Sequence, residues 1–437
     1  MCRSWRVWWV IVNQTSEHSH TSLSVIVGVS GGIAAYKAAH LVRFFKEQGH
    51  DVRVIPTDAA LNFVGAATFE ALSGNPVDTH VFEAVDEVQH VRLGQEADLI
   101  VIAPATADCM ARIAQGRADD LLTASVLVAT CPVVLAPAMH TEMWLNPATQ
   151  DNVATLRRHG KIVLEPAHGR LTGADSGPGR MPEPAHIGRL AEAVVDNPEV
   201  FRRDLEGTRV LISAGGTHEA LDPVRFLGNA SSGKQGFALA DVAAQRGAEV
   251  TIVAGVTEDL DVPSGADIIR VRSALEMKEA MDARAQDADV VIMAAAVADY
   301  RPASVAEAKL KKGSETALDT LQLVENPDIL AGLVQARHDG QISASTAIVG
   351  FAAETGDDSA SPLDHGIAKF QHKGCDLLMC NAVGDGKVFG QDHSQGWIIS
   401  RGEEDTGSAP HVVEVDAGTK LHVAARIWDE IHRLTRA

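Results

Sequence analysis

The chain has 437 residues, 46% of them apolar and only 4% aromatic. That length exceeds one ordinary core and implies two domains of about 200 residues, built from Ala, Val, Ile and Leu in the manner of helices packed on buried parallel strands. A formal net charge of −20 argues against nucleic acid or an anionic membrane as partner, because a phosphate backbone needs the opposite sign.

The five cysteines, Cys2, Cys109, Cys131, Cys375 and Cys380, show no CxxC spacing. They form neither a disulfide framework nor a zinc site, and the expected compartment is a reducing cytoplasm. No stretch approaches the ~18 apolar residues of a membrane span. Trp5–Val12 is apolar, but NQTSEHSH follows it without a small-residue cleavage site. Residues 1–22 are therefore read as a disordered or extra N-terminal extension, not as a signal peptide. The remaining chain divides into a first domain (23–197), a linker (198–207) and a second domain (208–437).

In the first domain Leu23–Val29 reads as a buried strand and Ser30-Gly31-Gly32-Ile33 as a turn. Ala34–Gln48 is a helix stopped by Gly49, and Val52–Pro56 is the next strand. Glycines at such a turn let backbone N–H groups approach a phosphate at the helix N-terminus. The spacing is not GxGxxG, which disfavours a dinucleotide. Two further strands, Asp98–Ala103 and Pro132–Ala136, run into Ala-Pro-Ala segments that carry Thr106 and His140. Small residues at the carboxyl edge of an α/β sheet leave a flat slot for a planar ring.

Together GVSGGIAAYK, APATAD and PAMHTEMW, between Leu23 and Arg180, resemble the flavin-dependent cysteine decarboxylase family. The resemblance implies FMN held by Ser30, Gly31, Ile33, Thr57 and Thr106, with His90 as the active-site histidine. Read alone, a histidine before a strand is a surface or capped residue. Two positions depart from the family pattern. His140 stands where the family has an asparagine thought to hold the substrate carboxylate. An imidazole can still donate there, with a titratable charge. In the flap Gly169–Met181, Gly173 replaces the usual proton-donating cysteine, and Asp175, Ser176, His168 or water remain open as the acid.

The helix Pro184–Val195 and the Asn197-Pro198 break close this domain. Arg209–Ser213 then starts a second unit: strand, double-glycine turn, long polar loop and helix Phe237–Arg246. GNASSGK (Gly228–Lys234) nearly matches a phosphate loop, but Gln235 cannot offer a hydroxyl to magnesium. The loop remains a plausible anion cradle by backbone geometry. Strand Asp289–Met293 runs into AAAVADYR. Lys309-Leu310-Lys311-Lys312 follows, ordinarily a solvated face but here where a triphosphate would need cations. Asn326-Pro327-Asp328 caps a helix, Phe351 follows the strand Ala347–Gly350, and Lys369 and Lys373 share one helix face.

AGGTHE, DPVRFLGNASSGKQG, AAAVADYRP, KLKK, NPDIL and GFAAET, in that order, resemble the phosphopantothenate–cysteine ligase domain of bacteria. The resemblance implies that Lys309 stabilises an acyl-cytidylate transition state and that Arg225 and Asn229 hold and process the intermediate. Ala295, Ala296, Asp299, Asn326, Pro327, Asp328, Phe351, Lys369 and Lys373 would surround CTP, bound with Mg²⁺. The implied fold is α/β throughout, two Rossmann-like domains with mainly parallel sheets, flavodoxin-like and then ligase. The order matches bifunctional bacterial enzymes of coenzyme A synthesis. These condense 4′-phosphopantothenate with cysteine, then decarboxylate 4′-phosphopantothenoylcysteine to 4′-phosphopantetheine. Trimeric decarboxylase and dimeric ligase contacts imply a homo-oligomer, a dodecamer. Two rivals are an active ligase carrying a flavin-binding but decarboxylase-inactive domain, and a dehydrogenase with two Rossmann-like domains. The missing GxGxxG and the KLKK and NPD motifs speak against the second.

Overall fold

The computed structural model describes residues 22–78, 89–170, 176–310, 320–356, 360–382, 393–402 and 409–436. The first half runs β1 (Ser24–Val29), α1 (Ala35–Glu47), β2 (Asp51–Pro56), α2 (Ala66–Ser73), α3 (Gln89–Glu96), β3 (Leu99–Ala105), α4 (Ala107–Ala114), α5 (Leu121–Val128), β4 (Val133–Pro137), α6 (Thr141–Trp144), α7 (Pro147–Arg158) and β5 (Ile162–Val163). A β6 (Ala167–Arg170) and β7 (Ser176–Arg180) hairpin and α8 (Pro184–Asp196) complete it. The β-branched runs pair in parallel in the order β2-β1-β3-β4-β5. This is the flavodoxin-like order, which reverses direction between β1 and β3 and opens a crevice at their carboxyl ends.

The second half comprises β8 (Arg209–Ala214), β9 (His218–Ala220), β10 (Phe226–Gly228), α9 (Lys234–Gln245), β11 (Glu249–Ala254), β12 (Ala266–Arg270), α10 (Ala274–Ala285), β13 (Val290–Met293), β14 (Tyr300–Pro302), β15 (Leu323–Glu325) and α11 (Ile329–His338). It ends with β16 (Ala347–Glu354), α12 (Pro362–Lys373), β17 (Leu377–Ala382), β18 (His393–Ser400), β19 (His411–Thr419) and α13 (Lys420–Arg436). The sheet order is β12-β11-β8-β13-β16-β17-β18-β19, parallel except for the last two pairings. Here the reversal lies between β8 and β13.

Period-two alternation sends Val210 and Ile212 to one face, with Phe237 and Leu239 of α9 and Trp428 of α13. Leu211 and Val291 turn to the other face, with Met277 of α10, Leu330 of α11 and Phe370 of α12.

The two halves share a continuous apolar core. The stretch 198–207 is not an exposed tether, since Val200, Phe201 and Leu205 are buried in that core. Polar ties line the seam. His186 Nε2 lies 2.8 Å from Asp241 Oδ1, Arg203 Nη1 donates to Glu165 at 2.8 Å, and the Glu165 N–H donates to Gln245 Oε1 at 3.0 Å.

The structure differs from the sequence expectation at two points. The long polar loop after β8 contains the β9–β10 hairpin, closed by Asp222, which accepts from the Val224 and Arg225 N–H groups at 2.8 Å each. His218 and Phe226 stack across it with ring centroids 3.6 Å apart. The following helix begins at Lys234, not Phe237, because Gly233 at φ +81° ends the loop in a conformation that favours glycine. Among the described residues no helix is long and apolar enough to cross a membrane.

Candidate functional site

In the first half, Ser30 follows β1 and Thr106 follows β3, one on each side of the switch point. Ser30 Oγ donates to the Pro104 carbonyl at 2.7 Å and lies 3.1 Å from Thr106 Oγ1, and the Thr106 N–H donates back to Ser30 Oγ at 3.0 Å. Thr106 also caps α4 by accepting from the Cys109 N–H. Thr57 is buried at the end of β2, its N–H bonded to the Val29 carbonyl. Gly31 lies so close to Ala59 that a Cβ would sit 2.4 Å from the Ala59 Cβ. Ile33 projects outward, 67% exposed. The structure thus brings Ser30, Gly31, Thr57 and Thr106 to one sheet edge.

His90 and His140 stand apart from that hydroxyl pair; among the described residues no hydrogen bond joins either to it. His90 lies on α3, and its Nδ1 is buried with no hydrogen-bond partner among the described residues. His140 is exposed at the N-cap of α6 and makes no side-chain cap. The segment preceding it is fastened to the β6–β7 hairpin, where the Met139 N–H donates to the Gly179 carbonyl at 2.9 Å. Gly173 and Asp175 lie outside the described residues. Cys109 of α4 is fully buried in the core, and burial pushes its pKa up to about 12, so it presents no thiol at the surface of the crevice.

These residues fit a flavin. The crevice offers hydroxyls, a close-packed glycine turn and an outward aliphatic side chain.

In the second half a cavity of about 760 Å³ opens at the β8/β13 switch point. Its floor is stitched by backbone N–H donors: the Ala296 N–H donates to the Gly215 carbonyl at 2.8 Å, and the Ala298 N–H to the Thr217 hydroxyl at 2.9 Å. Asn229 reaches in from the loop after β10, donating to the Val297 carbonyl at 3.2 Å. The Asn326 side chain donates to the Ala298 carbonyl at 2.8 Å, and its N–H to the Asp299 carbonyl at 2.7 Å. Asp328 caps α11 through the Ala331 N–H at 3.0 Å and pairs with Lys373. Burial opposes its ionisation, but the Ala331 N–H and the Lys373 ammonium outweigh that and hold the carboxyl below its usual range. Lys369 pairs with Glu354 at 3.0 Å.

Ala295, Ala296, Asp299, Asn326, Pro327, Asp328, Phe351, Lys369, Lys373 and Asn229 therefore all line one cavity. Arg225 and Lys309 do not. Arg225 holds buried Asp222 at 2.7 Å and donates to the Leu310 carbonyl at 2.6 Å. It lines a second, smaller cavity of about 520 Å³. Burial works against the Asp222 carboxylate, yet the Val224, Arg225 and Leu310 N–H groups and the guanidinium hold its pKa well below the usual range. The wall of the larger cavity also includes Ser231, Ser232, Lys234, Gln235, Asn381 and Lys420. Of these, Ser231, Ser232, Lys234 and Gln235 belong to the near phosphate-loop match in the sequence, whereas Asn381 and Lys420 carried no signal there. Among the described residues no three metal-ligating side chains cluster.

Two family models match the chain. Residues 13–195 match the family model "Flavoprotein", and residues 205–434 match "DNA/pantothenate metabolism flavoprotein C-terminal domain". The chain is 58% identical over 407 residues to the coenzyme A biosynthesis bifunctional protein CoaBC of Mycolicibacterium smegmatis, covering 93% of this chain and 96% of that one. It is 57% identical over 415 residues to the CoaBC of Mycobacterium tuberculosis, at 95% and 97% coverage. With the CoaBC of Vibrio vulnificus the figure is 43% over 385 residues, at 87% and 92% coverage. Among solved structures, a CoaBC C-terminal domain aligns over 54% of this chain and 98% of its own, at 33% identity and TM-score 0.42.

Proposed function

The chain belongs to the family of coenzyme A biosynthesis bifunctional proteins, and from that premise we propose a specific pair of reactions. The second half condenses 4′-phosphopantothenate with cysteine at the expense of CTP and Mg²⁺. The first half converts the product, 4′-phosphopantothenoylcysteine, to 4′-phosphopantetheine and CO₂ with FMN. The observation that carries the reading is the cavity at the β8/β13 switch point. It joins stitched backbone, a capping Asn-Pro-Asp and lysines from both sheet faces in one nucleotide-sized space.

In the ligase step the carboxylate oxygen of 4′-phosphopantothenate attacks the α-phosphorus of CTP and pyrophosphate leaves. The cysteine amine then attacks the acyl carbon, loses a proton and expels CMP. Electrostatic stabilisation of the transferring phosphoryl group is the main task. Ala295, Ala296 and Asp299 give the base an edge of backbone and carboxylate. Asn326, Pro327, Asp328, Phe351, Lys369 and Lys373 complete its surround, and Asn229 holds the acyl-cytidylate. Arg225 and Lys309 act as one unit, joined through Leu310. We place that unit at a paired ligase interface, since the exposed apolar Val224, Phe226, Leu323 and Val324 beside it suit homo-oligomer contact.

In the decarboxylase half Ser30, Gly31, Ile33, Thr57 and Thr106 would hold the flavin, and His90, whose Nδ1 has no hydrogen-bond partner among the described residues, would move a proton on substrate. His140 presents an exposed ring toward a substrate carboxylate. FMN, when bound, supplies two-electron redox chemistry. The test is twofold. Flavin released from the purified protein should run as FMN on chromatography. Pyrophosphate release should require 4′-phosphopantothenate and prefer CTP over ATP. A colourless protein, or release indifferent to the nucleotide, overturns the corresponding half.

A further inference from the structure

The nucleotide cavity has one wall built from the far end of the chain. Lys420, the first residue of α13, lines it beside Lys234 and Gln235 of the α9 first turn. The tie between them spans 185 residues: Gln235 Nε2 donates to the Lys420 carbonyl at 3.3 Å, and Ser394 Oγ lies 3.5 Å from Gln235 Oε1. Further along, buried Trp428 donates its indole N–H to the Leu239 carbonyl at 2.9 Å, and fully buried Arg246 pairs with Asp429 at 3.0 Å. Three ties, at Lys420, Trp428 and Asp429, hold α13 against α9 and keep the start of α13 at the cavity.

The lysines of this wall divide by sheet face. Lys369 and Lys373 come from α12, whose Phe370 packs in the core on one face. Lys234 and Lys420 come from α9 and α13, whose Phe237 and Trp428 pack on the other. The Asn326–Asp328 segment and Asp299 bring carboxylates toward the first pair. The second pair adjoins the hydroxyl and backbone N–H donors of Ser231, Ser232 and Gly233, which suit a polyanion; Lys234 also pairs with Glu258 at 3.3 Å.

We propose that Lys420 is a polyphosphate-binding residue of this cavity and that Gln235 is its positioning residue. The proposal rests on the nucleotide reading above. Gln235 stands where a phosphate loop would place a hydroxyl; here its amide spans the gap to α13 and sets the cation.

The test compares CTP and CMP binding by calorimetry on the full-length protein, with Lys420→Ala, Lys420→Arg and Gln235→Ala. CTP binding by the unaltered protein establishes the parent reading, and its absence would overturn that reading and this one together. Lys420→Ala should weaken CTP about fivefold or more while CMP stays within about twofold, since only the longer polyphosphate meets the lost charge. Lys420→Arg should recover most of the difference. Gln235→Ala should raise KM for CTP in the same direction with kcat nearly unchanged. Equal loss of CTP and CMP in Lys420→Ala would show a structural role and overturn the proposal. So would unchanged CTP affinity.

Discussion

Gly31→Ala tests whether the flavin crevice depends on the close approach of two backbone turns. A Cβ built at Gly31 lies 2.4 Å from the Ala59 Cβ and 2.9 Å from the Ala59 carbonyl carbon, where ordinary contact begins at 3.4 Å. The atoms it meets belong to a short side chain and to backbone, so no flexible tip can swing aside. The two turns must part by about 1 Å, and overpacking of this kind costs about 1–3 kcal/mol. That displacement exceeds what the Ser30–Thr106 pair tolerates at 3.0 and 3.1 Å, and it moves Ser30 away from Thr57. With 1.4 kcal/mol per tenfold, flavin affinity should fall roughly tenfold or more. Gly32→Ala is the control, because its Cβ would meet only the Thr106 Cγ2 at 3.4 Å. Flavin-to-protein ratio after prolonged dialysis, read by absorbance, separates the two. Full flavin retention by Gly31→Ala, or equal loss in Gly32→Ala, would refute the reasoning.

Three other perturbations probe the remaining contacts. Burial lowers the pKa of His186, but the Asp241 carboxylate more than compensates and the folded value lies above the usual one. The pair therefore stabilises fully below about pH 6.5 and loses its contribution as pH rises through the folded value. Asp241→Asn should lower Tm most at pH 6 and progressively less as pH rises; a pH-independent difference would contradict this. Asp328→Ala removes a helix cap worth about 1 kcal/mol and strands Lys373. Tm should drop by roughly 2–4 °C and CTP should bind more weakly, whereas unchanged CTP affinity would remove Asp328 from the site. Asn229→Ala should reduce ligase kcat with little change in CTP affinity, and a parallel loss of both would make it a nucleotide contact only.

The strands that build both switch points were legible because each is an apolar, β-branched run leading into a segment of small residues, and those segments are the crevice edges. Asn326-Pro327-Asp328 was legible because capping chemistry is local. The β9–β10 hairpin was not: strands of three residues offer no alternation to read, and the hairpin is held by one buried carboxylate and a ring stack. Arg225 and Lys309 matched their motif, yet motif order says nothing of which wall a side chain faces. Lys420 was invisible for a different reason. It reaches the cavity only because β18 and β19 reverse the chain and return it to the carboxyl edge, a consequence of tertiary pairing across 185 residues.

The central claim is that one chain performs both steps in series. Mass spectrometry of purified protein with 4′-phosphopantothenate, cysteine, CTP and Mg²⁺ tests it most directly. The account predicts 4′-phosphopantetheine, CO₂, CMP and pyrophosphate in equal amounts, with His140 and a cysteine-free flap still supporting protonation of the product. Accumulation of 4′-phosphopantothenoylcysteine without CO₂ would leave the ligase standing and contradict the decarboxylase half.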